Sequence, residues 1–387
     1  LLFSASTFQQ MAQRKAMSFR VGHFNILGKN MAGTMWFHYA RDFLPASFSR
    51  SHWDWSRAGN FPRSLFWSSD DGPSRFYRFQ VLMKEIKSLS ADVLCFVELD
   101  CYHEFKEILG ADGYDAVFQA RPGKQDGCGI FWRREVFKAV GPCRALIYAQ
   151  PVNDRIAVGQ VLMHLPTQQP LLVLSSHLHW DQAAGHQSSE AQELLCLLED
   201  MSAEYEQVSG FRPAAVLCGD LNTLPGSEAY EILSRRLRDA SLPDPTSSYG
   251  EGAFTTLKPD VYYYARPKGD FDGRDQWHWQ EGRHEVLDYI FYSPEELQMT
   301  KPISIPQLPK EELEPSKKRK RSSGSTLYGY WSGGWRFVSS PVPGLEEHVS
   351  DPHWRPARRQ GDLQLGIPNR LHGSDHLPLV CEFSFAH

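Results

Sequence analysis

The chain has 387 residues, of which 41% are hydrophobic and 13% aromatic, so it is long and apolar enough to bury a large core. Its formal net charge is -5, which excludes a globally basic protein, and any contact with nucleic acid must come from local patches. No apolar run approaches the ~20 residues that a membrane-spanning helix needs, so we expect no membrane partner.

The cysteine pattern and the charged ends of the sequence bear on its location. The 7 cysteines are scattered without a Cys-x-x-Cys pair, which favours free thiols in a reducing, intracellular compartment over disulfides or a zinc site. We expect cytoplasm or nucleus. The N-terminal stretch has no acidic residue before Asp42, so a mitochondrial transit-peptide remnant is an alternative. The basic run 317–321 is a nuclear signal, a nucleic-acid patch or a solvated loop.

The predicted elements mix strands and helices without an internal repeat. The first strand covers 20–27, residues 28–74 are irregular, and apolar residues at helical spacing predict a helix at 77–89. Further strands are predicted at 91–99, 115–118, 128–132, 156–163, 171–175, 214–218, 286–292 and 379–385. Further helices are predicted at 103–109, at 189–201 with Ser189 as the N-cap, and at 227–237.

Two strand-rich halves, each with a few helices, predict an α+β fold: a two-sheet sandwich flanked by helices. The closely spaced strands between 115 and 175 favour antiparallel pairing. Residues 294–326 are rich in Pro, Lys, Glu and Ser and predict a flexible insertion. We expect residues 1–17 to be an N-terminal extension and 18–387 to form one domain.

Polar side chains follow many of the apolar strands at the point where each strand ends. These residues are Asn25, Glu98, His177, Asp220 with Asn222, and Asp375 with His376. Asp288 lies within a predicted strand, where an unpaired carboxylate would be costly, so we expect a buried partner and name His376. Because strand ends of a sandwich meet at one rim, these groups could share one cleft.

The residue types in this set indicate a class of chemistry. Carboxylates, carboxamides and two histidines without a thiolate favour Mg²⁺, or Mn²⁺, over zinc. Such a site suits hydrolysis of a phosphoester. Each residue alone has a structural alternative, such as a turn cap for Asn25, and we expect His179 to be structural. The joint occurrence in this chain order carries the interpretation.

The motifs resemble those of the endonuclease/exonuclease/phosphatase superfamily, which has the deoxyribonuclease-I-like fold. They are DVLCFVELD at 92–100, Lys124 with DGCGIF at 126–131, HLHWD at 177–181, GDLN at 219–222, LDYIFY at 287–292 and SDHLP at 374–378. Within it, the chain looks most similar to the carbon-catabolite-repressor-type deadenylases, with nocturnin and the Angel proteins as relatives. The resemblance implies a four-layer αββα sandwich from about residue 18 to residue 385.

The resemblance also implies roles for the matching residues. The implied metal ligands are Glu98, Asn25 and, for a second metal, Asp375. Asp220 would position or deprotonate the attacking water, and His376, paired with Asp288, would stabilise the transition state or transfer a proton. Asp220 and His376 both remain candidates for the general base. The implied substrate-binding residues are Asn222, His177 and Lys124; Arg283, which departs from the family pattern, is a further candidate because it could stack on a base.

Three departures from the deadenylase pattern leave alternatives open. Val97 replaces the Gln that usually precedes the metal-binding Glu, Gln182 stands where an adenine-stacking Pro is found, and Arg283 with His284 replaces an aromatic. The leading hypothesis is a Mg²⁺-dependent 3′-to-5′ exoribonuclease that releases nucleoside 5′-monophosphates from single-stranded RNA tails, poly(A) or oligo(U). The second is a phosphatase or phosphodiesterase acting on a small nucleotide, a 2′,5′-linked oligonucleotide or a cyclic phosphate end. The third is a catalytically silent RNA-binding subunit.

Overall fold

The computed structural model describes residues 17–28, 77–149, 154–242, 255–258, 261–265, 276–280, 283–304, 326–331, 334–339 and 374–386. The basic run 317–321 and the irregular stretch 29–76 lie outside the described residues, as does the predicted extension apart from Met17. No helix in the described ranges is long and apolar enough to cross a membrane. The 7 cysteines are all described and carry free thiols.

The helices in chain order are α1 (Tyr77–Leu89), α2 (Tyr102–Ala111), α3 (His186–Ser209) and α4 (Glu228–Ser234), with a 3₁₀ turn at Gln182–Ala184. The strands are β1 (Ser18–Asn25), β2 (Val93–Val97), β3 (Tyr114–Ala120), β4 (Gly127–Arg133), β5 (Phe137–Ile147), β6 (Ile156–His164), β7 (Gln169–His177), β8 (Ala214–Asp220), β9 (Arg238–Asp239), β10 (Thr256–Lys258), β11 (Val261–Ala265), β12 (Gln276–Gln280), β13 (Arg283–Glu285), β14 (Asp288–Tyr292), β15 (Leu297–Ser304), β16 (Thr326–Trp331), β17 (Gly334–Ser339) and β18 (Leu379–Phe385).

Two mixed six-stranded sheets form the body of the structure. The first sheet has the order β15-β18-β1-β2-β4-β3 and the second has β5-β6-β7-β8-β14-β9. Within these sheets, β1–β2 and β7–β8 are parallel and the remaining pairs are antiparallel. The predicted antiparallel pairing holds for β3–β4 and for β6–β7.

The central strands are buried on both faces. Val93, Cys95 and Val97 of β2 belong to the apolar cluster that fills the space between the sheets. Leu94 and Phe96 of the same strand belong to the cluster under α1 and α2. A strand covered on both faces is a continuous apolar run, which explains why β2 was visible in the sequence. Helices α3 and α4 cover the second sheet in the same way, so the predicted α+β, four-layer αββα fold is confirmed.

Helix α3 starts earlier than predicted. It begins at His186, and the residue at its N-cap position is Gly185, with φ +68°, in place of Ser189. The Ser189 hydroxyl donates to the His186 carbonyl oxygen instead, at 2.9 Å. Gln187 and Glu190 are buried in the first turns and hold the preceding loop, so tertiary contacts extend the helix beyond its apolar stripe.

Two long edge strands were not predicted, and neither was the two-residue edge strand β9. Strand β15 occupies 297–304, inside the predicted insertion 294–326, and pairs with β18. Strand β5 carries Gly141 and Pro142 and has a register shift between Val140 and Arg144. An edge strand has one unpaired side and tolerates such residues, so neither shows the apolar run of a central strand. Residues 305–325 lie outside the described residues.

Candidate active site

The polar residues at the strand ends lie at one rim of the sandwich. In the second sheet, the register places His177 opposite Asp220 and Asp220 opposite Asp288. In the first sheet, Asn25 pairs with Val97, the residue before Glu98. The Ser374 hydroxyl donates to the Asn25 carbonyl oxygen at 2.6 Å, which brings the 374–376 segment to the same rim.

The turn after β8 is fixed by its own hydrogen bonds. The Asn222 backbone has φ +47°, and its N–H donates to Asp220 Oδ1 at 3.1 Å. The Asn222 side chain donates to the Leu178 carbonyl oxygen at 3.0 Å, joining this turn to the loop after β7. Gly219 lets the parallel strands approach closely, because a Cβ there would collide with the backbone oxygen of Ser176. The two functional side chains of the GDLN motif are therefore held rigidly.

Asn25 links the two sheets. Its Nδ2 donates to Glu98 Oε1 at 3.2 Å and to Asp220 Oδ2 at 2.9 Å, and its Oδ1 accepts from the Leu27 N–H at 2.9 Å. One buried amide thus sets the distance between two carboxylates, Glu98 after β2 of the first sheet and Asp220 of β8 in the second. The carboxamide does this because it supplies two donors in a fixed plane.

Glu98 lies just beyond β2, on a backbone with φ +54° that turns the chain into the rim. Its Oε2 accepts from the Gly28 N–H at 3.3 Å. Desolvation, together with repulsion from Asp375 and Asp220, raises the pKa of Glu98 to about 7. His376 and the Asn25 amide offset only part of this repulsion, and a hard divalent cation held by these three oxygen-donor carboxylates would relieve the rest.

Asp288 is the first residue of β14, not an interior residue as predicted, and it binds two histidines. His376 Nδ1 lies 2.7 Å from Asp288 Oδ2, as expected for the predicted partner, and His23 Nε2 lies 3.0 Å from Oδ1. A carboxylate oxygen only accepts, so both imidazoles donate. The Thr255 hydroxyl donates a third bond, at 2.7 Å. The sequence interpretation missed His23, although the two-residue period of a strand puts it on the same face as Asn25.

The two rim histidines are in different states. Burial alone would lower the pKa of His376, but the carboxylates of Asp288, Asp375 and Asp220 raise it to about 10. Burial alone would raise the pKa of Asp288, but His376 and His23 lower it well below its ordinary value. Burial, with the positive charge of Arg155, lowers the pKa of His177 well below 6.5. At neutral pH, His376 is therefore cationic and His177 neutral.

A second candidate cation group overlaps this pair. Asp220, Asp288 and His376 each offer a ligand atom, and these atoms lie within 4.8 Å of one another. A protonated imidazole has no free lone pair, and both oxygens of Asp288 already accept hydrogen bonds. The donor chemistry therefore favours a cation on the Glu98 side. Asp220 faces both sides, with its Oδ2 3.7 Å from Nε2 of His376 and of His177.

The remaining expected residues lie further from this cluster or outside the description. Lys124 is exposed on the turn between β3 and β4, where its N–H donates to the Arg121 carbonyl oxygen at 3.1 Å. Arg283 lies in β13, paired with Lys258, and its side chain is outside the described part. Gln182 is exposed in the 3₁₀ turn, and Val97 is buried between the sheets. His179 holds its own loop, since its Nδ1 accepts from the Asp181 N–H at 3.2 Å.

Comparison with protein families identifies the family to which the chain belongs. The model of the Endonuclease/Exonuclease/phosphatase family matches residues 23–376, from the histidine on β1 to the histidine paired with Asp288. The chain belongs to this family. The family predicted from the motifs is thus confirmed.

Individual members of the Endonuclease/Exonuclease/phosphatase family give a consistent picture. Protein angel homolog 2 from Bos taurus is 33% identical over 168 residues, which is 41% of this chain and 30% of that protein. The match therefore spans less than a third of its length. Carbon catabolite repressor protein 4 homolog 4 from Arabidopsis thaliana is 26% identical over 361 residues, 79% of this chain and 70% of that protein.

Solved structures show the same fold. The human nocturnin catalytic domain with bound sulfate has a TM-score of 0.53 at 18% identity, covering 95% of this chain and 94% of that one. ANGEL2, a 2′,3′-cyclic phosphatase, in complex with adenosine-2′,3′-vanadate has a TM-score of 0.51 at 19% identity, covering 95% and 96%. At these identities the comparison supports the sandwich architecture alone.

Proposed function

We propose that the protein is a Mg²⁺-dependent 3′-to-5′ exoribonuclease that releases nucleoside 5′-monophosphates from single-stranded RNA tails. The observation that carries this proposal is the Asn25 bridge. It places the Glu98 carboxylate beside the Asp220 carboxylate, and Asp220 lies 3.7 Å from a cationic His376. This cluster supports a proposal in which one rim holds a cation site, a carboxylate for the attacking water and an acid for charged oxygens. Names of relatives that refer to 3′-5′ exoribonuclease subunits support the choice of RNA.

Glu98 would hold the cation, with Asn25 and Asp375 beside it. When bound there, Mg²⁺ would neutralise charge that develops on the phosphate oxygens and lower the pKa of a coordinated water. The raised pKa of Glu98, about 7, has a consequence for binding: protons compete with the cation, so metal affinity should fall below neutral pH.

The remaining residues act on the phosphate and the water. Asp220 accepts from Asn25 and from the Asn222 N–H, so its carboxylate is oriented before a water arrives. His376, pinned through Nδ1 by Asp288, presents Nε2–H to a phosphate oxygen or leaving group. Neutral His177 and the carboxamide of Asn222 would donate hydrogen bonds to the phosphate without adding charge. The cationic state of His376 favours Asp220 as the general base.

A second candidate function keeps the site and changes the substrate to a 2′,3′-cyclic phosphate end. Exposed Gln182 occupies the position where a stacking proline is expected for a poly(A) nuclease. Angel homolog 2 proteins from four species are relatives in sequence, and ANGEL2 is described as a 2′,3′-cyclic phosphatase. Cleavage of cyclic-ended RNA without shortening of the chain would support this alternative.

A substrate panel separates these functions. Labelled oligo(A), oligo(U), 2′,5′-oligoadenylate and cyclic-ended RNA would be incubated with Mg²⁺ or with EDTA and scored by product length. We expect stepwise shortening of the 3′,5′-linked tails in Mg²⁺ alone. Loss of the terminal phosphate without shortening would move the assignment to the cyclic phosphatase. Absence of turnover on every phosphoester would favour the silent RNA-binding subunit.

A further inference from the structure

Arg155 lies at the active-site rim but is not among the motif residues. It directly precedes β6, whose first residue, Ile156, pairs with His177. The Cys128 thiol contacts the Ile156 carbonyl oxygen at 3.6 Å, so the two sheets meet at this point. The arginine is therefore one strand away from His177, on the side away from Asp220.

The Arg155 side chain is buried with an unused donor. The residue is 9% exposed, and its Nε has no hydrogen-bond partner in the described part of the chain. Asp154 Oδ1 lies 3.9 Å from Nε, beyond hydrogen-bonding range. A buried, charged donor left without an acceptor is costly, by about 1–3 kcal/mol or more. An arginine kept in this condition beside a phosphate-handling histidine indicates an acceptor that arrives from outside.

The side chain of neighbouring Arg121, by contrast, has acceptors for its donors. Its Nε and Nη2 donate to the two oxygens of Asp126, at 2.7 and 2.9 Å, and its Nη1 lies 3.4 Å from Asp154 Oδ2. Arg121 thus fixes Asp154, whose other carboxylate oxygen lies 3.9 Å from Nε of Arg155. Both arginines lower the pKa of His177, which is consistent with their lying close to the imidazole. The facing acidic group from α3 is buried Glu190, whose pKa desolvation raises to about 7.

We propose that Arg155 forms a second phosphate subsite, adjacent to the scissile phosphate that His177 and Asn222 would hold. The planar guanidinium suits phosphate, because it offers parallel donors to two oxygens. This inference rests on the proposed function and narrows its substrate class to nucleotides with a second phosphate near the reacting one. That group could be the next backbone phosphate of an RNA or the terminal phosphate of a short nucleotide.

A binding experiment tests the subsite without turnover. Titration calorimetry in EDTA would compare adenosine 3′,5′-bisphosphate with AMP on the wild type, Arg155→Gln and Arg155→Lys. The control is Arg144→Gln, which alters a partly exposed arginine of β5 paired with Glu204. We expect the wild type and the control to bind the bisphosphate roughly 10- to 100-fold more tightly than AMP. Arg155→Gln should lose most of this ratio, and Arg155→Lys should keep part of it. Equal ratios in all four proteins would overturn the proposal.

A kinetic experiment distinguishes a terminal phosphate from a backbone phosphate. It also separates failure of the subsite from failure of the proposed function. The ratio of kcat/KM for a 5′-phosphorylated diadenylate over the unphosphorylated diadenylate reports a terminal phosphate. The ratio of kcat/KM for an unphosphorylated triadenylate over the same unphosphorylated diadenylate reports a backbone phosphate. Arg155→Gln should lower one of these ratios about tenfold, with a salt dependence weaker by roughly 0.7 in log–log slope. Hydrolysis of neither substrate by the wild type would refute the proposed function while calorimetry still decides the subsite. Unchanged ratios and slope in folded Arg155→Gln would refute the subsite alone.

Discussion

A single buried carboxylate, Asp288, sets the protonation state of the His376 imidazole, which we propose to be catalytic. It accepts from His376, His23 and Thr255, and its negative charge is the largest influence that raises the pKa of His376. The arrangement keeps His376 cationic and holds its ring in one orientation, with Nε2 toward Asp220. In the proposed mechanism, the residue that transfers the proton and the residue that sets its pKa are thus separate.

Replacing Asp288 with Asn should therefore impair chemistry more than binding. The amide keeps the shape but removes the charge that holds His376 protonated. We expect kcat to fall about 10²- to 10⁴-fold, the usual scale for a positioned acid or base, with a smaller change in KM. Steady-state kinetics on the RNA tail measures this, with exposed Asp115→Asn of β3 as the control. A kcat equal to that of the control would exclude a catalytic role for the pair.

His23 is the third member of this cluster and should contribute to stability through Asp288. His23→Leu leaves Asp288 Oδ1 without its donor and should lower the free energy of unfolding by about 1–3 kcal/mol. His23→Gln retains an N–H donor and should lose less. Urea unfolding of both variants measures the difference. If Leu and Gln prove equally destabilising, the hydrogen bond to Asp288 is not the reason for a histidine here.

At the residue scale, the sequence was informative where a polar residue interrupts or ends an apolar run. Asn25, Glu98, His177, Asp220 and Asp288 stand out for that reason, and the structure brings them together. His23 does not stand out, because its partner Asp288 is 265 residues away along the chain. Arg155 does not stand out either, because only strand pairing places it near His177. A sequence shows that a buried polar group needs a partner, but rarely which one.

At the element scale, the close approach of parallel strands β7 and β8 depends on Gly219. A methyl group there would meet the Ser176 backbone oxygen, which cannot rotate away. Gly219→Ala should cost about 1–3 kcal/mol and displace the GDLN turn, lowering activity as well. Gly110→Ala is a matched control, because nothing lies within 4 Å of a Cβ there. Thermal unfolding and activity of the two variants provide the test. An unchanged Gly219→Ala protein would show that the strands can separate without loss.

Element prediction succeeded where burial dictates the pattern. Helix α1 and strand β18 have the predicted bounds, because each presents regular apolar spacing to a core. It failed for β5 and β15 because edge strands carry exposed polar residues. It placed the start of α3 three residues late because buried Glu190 and Gln187 bind the preceding loop. Because these buried residues are polar, the first turn of α3 lacks the regular apolar spacing by which a helix is recognised in a sequence.

At the scale of the whole molecule, the core contains a histidine that should make stability depend on pH. His164 is fully buried against the rings of Phe19, Phe137 and Phe385, with Nδ1 2.7 Å from the Thr167 hydroxyl oxygen. Burial lowers its pKa from 6.5 to about 4. The folded state therefore stays unprotonated where the unfolded state takes up a proton. Stability is fully present above the unfolded pKa and is lost as the pH falls from 6.5 towards 4.

The lowered pKa of His164 corresponds to a loss of about 3 kcal/mol in the free energy of unfolding once the pH is below the folded pKa. Urea unfolding at about pH 7 and about pH 4.5 should show a smaller decrease for His164→Leu than for the wild type. His103→Leu, which alters an exposed histidine of α2, should match the wild type. An identical pH dependence in all three proteins would mean that other groups govern acid unfolding.

The topology of the molecule was the least accessible feature from the sequence. The four-layer arrangement followed from the resemblance, and the composition required only a large core. The position of β1 between β2 and β18 joins residues more than 350 apart along the chain, such as Val21 and Cys381. No local pattern encodes such a pairing. It is nevertheless what places Asn25 beside Asp220 and the 374–376 segment over the rim.

The proposed function requires above all that Glu98 be essential for metal-dependent cleavage at RNA 3′ ends. The direct measurement is the product length of 5′-labelled oligo(A) over time, in Mg²⁺ and in EDTA, for the wild type, Glu98→Gln and exposed Glu104→Gln. We predict a ladder of products shortened by single nucleotides from the 3′ end, in Mg²⁺ only, for the wild type and Glu104→Gln, and none for folded Glu98→Gln. Wild-type rates from Glu98→Gln, or products cut at internal positions, would contradict it.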